Sequence, residues 1–212
     1  MPVKLVVIGD SFVEGRGDPA PGGGYRGWIP AFARLLGIGD DECRNHGEHL
    51  ATTATVRDRQ LVAVRTVRPQ VAGMIAGFND IVGEYRPAEF RDNLREIFAT
   101  MSRAASVAFT ATYPDVTDRL AMTAAARADI RGRTTDANSV LRRTAAEFGM
   151  VCVDAARAPL SEVWRDGALW SDDGIHPNRL GYRLFAEQLA DAVAEDLGVA
   201  LPANATYSAV TG

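Results

Sequence analysis

Short apolar runs alternate with longer amphipathic stretches along most of the chain. Residues 2–9 form the clearest run, with Val3, Leu5, Val6, Val7 and Ile8 leading into Gly-Asp-Ser. Its length and β-branching predict a strand buried on both faces, as in a parallel sheet. Runs at 71–75, 104–109 and 150–153 read the same way, and a weaker one lies at 42–45. Between them, 27–36, 53–67, 87–102, 123–148 and 178–197 carry helical periodicity. Strands alternating with helices of this length predict an α/β fold, a three-layer sandwich around a five-stranded parallel sheet. The flavodoxin-like order 2-1-3-4-5 would place a site outside the carboxyl ends of the strands. No repeat or long linker breaks the pattern, so 1–198 read as a single domain and 199–212 as a loose tail.

At 212 residues the chain can bury one sizeable core, and its 47% apolar and 24% charged residues are those of an ordinary globular protein. A net charge of −4 argues against nucleic acid as the main partner. The arginines at 57, 59, 65 and 68, and at 127, 131, 133, 142 and 143, alternate with acids at helical spacing and read as solvated helix faces. No stretch approaches the ~20 apolar residues of a membrane span, and the start of the chain lacks the pattern of a secretory signal. A cytoplasmic protein is therefore expected. Cys43 and Cys152 have neither framework nor metal spacing and are expected as buried small side chains.

Three short segments carry candidate chemistry. Ser11 follows Gly9-Asp10 at the end of the first predicted strand, on the active edge of such a sheet. Gly77-Phe78-Asn79-Asp80 follows a second strand and brings a carboxamide to the same edge. Asp172-Asp173-Gly174-Ile175-His176-Pro177 precedes the last helix. A serine hydroxyl needs a base to attack, and a neutral imidazole in hydrogen-bond reach can take its proton. A carboxylate on the other ring nitrogen fixes the tautomer. An aspartate three residues before a histidine can supply both groups from one loop.

Taken together, these segments resemble the SGNH (GDSL-type) hydrolase family over nearly the whole chain. The run WSDDGIHPNRLGYRLFA is similar to that family's C-terminal signature, and GDPAPGGGYRGW to a loop of small actinobacterial members. The resemblance implies Ser11 as nucleophile, Asp173 and His176 as its partners, and Asn79 as an oxyanion donor. The family's second motif ends in a glycine whose N–H joins the oxyanion hole, with Ser11 giving another N–H. Here Asn45-His46-Gly47-Glu48-His49-Leu50 puts Leu50 at that position. Leucine has the N–H but suits positive φ poorly, and a shift in register would make Gly47 the donor instead.

Arg16, Tyr25, Arg26 and His49 lie in loops beside these motifs and are candidate substrate contacts. His46 and His49 have a spacing seen in metal sites, but no carboxylate or thiol cluster completes one. Trp28, Trp164 and Trp170 read as core or cleft-wall aromatics. The expected activity is an esterase acting through an acyl-enzyme, with a small-molecule ester as partner and no metal or organic cofactor. Without a long apolar lid segment, small and fairly polar esters are expected. An acyltransferase working through the same intermediate, or a non-catalytic binding protein on this scaffold, are the alternatives.

Overall fold

The computed structural model describes residues 2–201. Strands β1 (Leu5–Gly9), β2 (Cys43–Gly47), β3 (Val71–Ile75), β4 (Val107–Ala111) and β5 (Val151–Val153) form one sheet in the order β2-β1-β3-β4-β5. Every pairing is parallel. All positions of β1, β3 and β4 are buried, which is why those strands read as unbroken apolar runs. Period-two alternation then sorts them: Leu5 and Val7 join one core, Val6 and Ile8 the other.

The first core is closed by α1 (Ser11–Glu14), α2 (Ile29–Leu35) and, after the short α8 (Leu160–Val163), by α9 (Arg179–Leu197). The opposite core is closed by a helical stretch made of α3 (Thr53–Thr55), a π-helical segment (Val56–Gln60) and α4 (Leu61–Val67), then α5 (Phe78–Val82), α6 (Pro87–Ala104) and α7 (Ala124–Glu147). The result is the expected three-layer arrangement. Helix ends follow local chemistry: Pro87 opens α6, the Thr123 side chain caps α7, and the Asn178 side chain accepts from Leu180 and Gly181 at the start of α9.

Three sequence expectations change. The fourth strand does not span 104–109, because α6 continues through Ala104 with Met101 still buried, and Ser106 and Val107 both donate to the Gln70 carbonyl where β4 begins. The second strand begins after Glu42, which is drawn into a 3-10 turn by Gly39 N–H and Lys4. Cys43 and Cys152 are half-buried rather than buried, since β2 and β5 are the two edges of the sheet; both are free. Of the segment expected to be a loose tail, residues 202–212 lie outside the described residues. No helix among the described residues is long and apolar enough to cross a membrane.

Candidate active site

The turn that follows β1 is held from several directions. Asp10 donates its N–H to the Ile75 carbonyl of β3, and its carboxylate accepts the Phe12 N–H, capping α1. Gly9, at φ 155°, has its N–H and carbonyl paired with the Gln60 carboxamide at 2.7 and 3.0 Å. Gln60 is the last residue of the π-helical segment and is buried. It sits in a turn with one extra residue, a feature that 3.6-residue periodicity does not reveal. The outcome is a rigid strand-to-helix corner with Ser11 as the first residue of α1, 9% exposed.

The second arm is the loop before α9. Trp170 and Pro177 form an antiparallel bridge, Ser171 N–H donates to the His176 carbonyl, and Asn178 Nδ2 donates to the carbonyls of Ala168 and Trp170. Gly17 lies against this loop at φ 95°, where a Cβ would stand 2.3 Å from the Pro177 carbonyl oxygen. Only glycine allows that approach of the Gly-rich loop to the His176–Pro177 corner.

These arms bring Ser11, His176 and Asp173 into one hydrogen-bonded chain. Ser11 Oγ is 2.8 Å from His176 Nε2, and His176 Nδ1 is 2.7 Å from Asp173 Oδ2. The other carboxylate oxygen accepts the N–H groups of Ile175 and His176 and the Ser171 hydroxyl. Partial burial opposes charge on Asp173, but the His176 N–H, its ring and the Ile175 N–H outweigh it and hold the carboxyl down to about 2. A carboxylate so held keeps the ring proton on Nδ1, which leaves the Nε2 lone pair facing the serine hydroxyl.

The sequence also names N–H groups that could serve as oxyanion donors. Those of Ser11 and Leu50 make no hydrogen bond among the described residues. Leu50 is at φ 64° and 65% exposed, so it adopts the backbone expected of the motif's glycine with its side chain in solvent. The Gly47 N–H is already donated to Asn45 Oδ1, and its Cα is packed against Val13 and Glu14 of α1. The shifted register is therefore disfavoured. Asn79 Nδ2 donates one hydrogen bond to the Ala51 carbonyl at 2.9 Å, so the loop of Leu50 and the start of α5 are tied together. The adjacent Asp80 accepts from the N–H and hydroxyl of Thr53.

Asp10 lies almost wholly out of water. Burial pushes its carboxyl up to about 7, against the opposing Phe12 N–H and with a further contribution from Asp80. Neither this aspartate nor Gln60 stood out in the sequence as part of the site.

The four loop candidates behave differently. Arg16 pairs with Glu14 and stacks over Tyr25, Arg26 faces Asp18 at 3.6 Å, and His49 is exposed. None of them lines the cleft beside Ser11. Trp164 and Trp170 do line it, while Trp28 lies in the core. Among the described residues, no three His, Cys, Asp or Glu side chains are grouped to hold a metal.

Residues 7–184 match the GDSL-like Lipase/Acylhydrolase family. No curated protein matches the chain by sequence. Among solved structures, it superposes on LAE5, an alpha/beta hydrolase enzyme from the metagenome of Lake Arreo, Spain, with a TM-score of 0.71, 21% identity, and coverage of 91% of this chain and 95% of that one. It also superposes on Axe2, an acetylxylan esterase from Geobacillus stearothermophilus, with a TM-score of 0.67, 19% identity, and coverage of 96% and 100%. At these identities the likeness shows the fold.

Proposed function

The chain belongs to the GDSL-like lipase/acylhydrolase family, a group of carboxylic ester hydrolases, and from that premise we propose that it hydrolyses small-molecule esters through an acyl-enzyme on Ser11. The observation that carries the reading is the chain Ser11 Oγ to His176 Nε2 at 2.8 Å and His176 Nδ1 to Asp173 at 2.7 Å. Ser11 Oγ attacks the ester carbonyl as its proton passes to Nε2. The oxyanion takes hydrogen bonds from the N–H groups of Ser11 and Leu50 and from the second N–H of Asn79 Nδ2. As the carbon–oxygen bond to the alcohol breaks, His176 delivers the proton to the departing oxygen. Water then attacks the acyl carbon as its proton passes to His176, and that proton returns to Ser11 Oγ as the bond to the acyl group breaks and the carboxylic acid leaves.

The structural relatives support these roles. Catalytic mutants of Axe2 replace a serine, an aspartate and a histidine, the aspartate three residues before the histidine. Asp173 and His176 have the same spacing.

A fluorophosphonate probe tests the reading directly. It is expected to label the wild-type protein at Ser11 and to leave Ser11→Ala unlabelled, with hydrolysis of a p-nitrophenyl ester lost in that variant. A folded Ser11→Ala protein with unchanged turnover would remove Ser11 from the mechanism.

A further inference from the structure

A cavity of about 60 Å³ opens beside Ser11 and His176. Its floor is the carboxyl edge of the sheet, with Ile75 at the end of β3, Ala111 at the end of β4 and Ala155 just past β5. Its walls are largely apolar and come from separate parts of the chain: Phe78, Val116, Trp164, Trp170 and Phe185 are the main ones, with Thr112 and Tyr113 adding hydroxyls. Trp164 packs edge-on against Trp170 at 5.6 Å and contacts Phe185 at 6.4 Å, so the far wall is braced within the first core. Nothing in this lining offers a charge, apart from Asp10 and the His176 end that faces the serine.

We propose that this cavity is the acyl pocket and that it selects straight apolar acyl groups of about four to six carbons. The proposal rests on Ser11 being the acylated residue. Its direction follows from the order of events. The alcohol must leave between the two half-reactions and water must replace it beside His176. The acyl group stays attached throughout. A recess closed below by the sheet suits the group that stays, whereas an alcohol seated there would have to leave past the new ester bond.

Size and lining then set the class. A water-sized group occupies roughly 10–15 Å³ on this measure, so the cavity holds about four to six such groups. Acetyl leaves most of it empty, and a decanoyl chain exceeds it. Each methylene moved from water into the pocket is worth about a fourfold gain in kcat/KM when it is realised in the transition state. The proposal narrows the small, fairly polar esters expected from the absence of a lid segment to those with a short apolar acyl group. The cleft wall is assembled from residues far apart in sequence, so no single apolar segment announced it.

The test is a series of p-nitrophenyl esters from acetate to decanoate, with the hemisuccinate as a charged acyl group of four carbons, and a parallel series of acetates with lengthening alcohols. Expected are a rise of about tenfold or more from acetate to butanoate and hexanoate, a fall at decanoate, and poor turnover of the hemisuccinate. Ala155→Leu, which fills the floor, is expected to shift the optimum to shorter chains. Val116→Ala, a smaller change to the fold, is expected to shift it to longer ones. Fluorophosphonate labelling of Ser11 is run alongside. Labelling at Ser11 with acetate as the best acyl group, or with a response to alcohol length instead, would overturn the acyl pocket and leave the esterase reading standing. Absence of both labelling and hydrolysis would overturn the esterase reading itself.

Discussion

The buried Gln60 carboxamide meets Gly9 at both of its backbone polar groups, accepting from the N–H at 2.7 Å and donating to the carbonyl at 3.0 Å across 51 residues of sequence. The pair acts like a short piece of an additional strand, ending β1 two residues before Ser11. The Gly9 carbonyl has a second donor in the Glu48 N–H, but Gln60 is the partner of the Gly9 N–H. Replacing Gln60 by Leu therefore leaves a buried donor unpaired, a loss of about 1–3 kcal/mol. At roughly 2–4 °C per kcal/mol for a chain of this size, Tm is expected to fall by several degrees. Turnover is expected to fall with it while KM changes little, because the corner that aims Ser11 loosens. Steady-state kinetics and thermal melts check both. Unchanged kcat in a folded Gln60→Leu protein would show that the clamp serves stability alone.

Gln60 also marks where sequence reading ended. The strands of β1 and β3 were legible because burial on both faces demands continuous β-branched and apolar residues. The serine, the carboxamide and the Asp-x-x-His pair were legible because each follows a strand or precedes a helix. The helix at 53–67 was legible as a helix, but the π-helical segment inside it was not, since one extra residue per turn leaves no mark on residue types. The cleft wall was legible only in part. Trp164 and Trp170 read as core or cleft-wall aromatics, but Val116 and Phe185 join them only after the chain has folded.

The low position of Asp173, about 2, makes a prediction about acid. A carboxyl depressed in the folded state contributes its stabilisation above its ordinary value of ~3.9 and loses it only as pH falls towards 2. Asp173 thus stays charged through the mildly acidic range, and loss of activity there belongs to a different group. Log kcat/KM is expected to fall with a slope of one on the acid side, and a slope of two would require another group. Asp173→Asn keeps the shape but not the charge. It allows the wrong ring tautomer and is expected to lower kcat by about 10⁴.

Asp10 works in the opposite direction. Its carboxyl is pushed up to about 7 by burial, so the folded chain keeps a proton that the unfolded chain has already released. Its effect on stability is therefore absent below ~4 and grows as an increasing cost as pH rises to about 7. Asparagine can still accept the Phe12 N–H that Asp10 now accepts at 3.0 Å, without the buried charge. Asp10→Asn is expected to gain Tm relative to wild type as pH goes from 5 to 8, by an amount corresponding to about 3 kcal/mol. Thermal melts at the two pH values test this, and a difference independent of pH would mean that Asp10 titrates normally.

Leu50 gives the sharpest test of the oxyanion hole. Its φ of 64° places it in the left-handed region while its side chain is 65% exposed. The leucine side chain therefore carries backbone strain of about 1–2 kcal/mol with little packing to offset it. Leu50→Gly removes that strain but adds freedom to the unfolded chain, worth about 0.5–1 kcal/mol, so the net stability gain is small and positive. Turnover is expected to persist, because the N–H remains where it was. Removing the N–H is the decisive change. Proline does so, but its φ of about −65° cannot match this backbone, so Leu50→Pro alone would confuse a lost donor with a displaced loop. A backbone ester at residue 50, introduced by semisynthesis, deletes the N–H and keeps the side chain and the conformation. It is expected to lower kcat by about 10²–10³, as loss of one oxyanion donor does elsewhere, with little change in KM. Full turnover in the ester-linked protein would remove Leu50 from the oxyanion hole and leave Ser11 and Asn79 to fill that role.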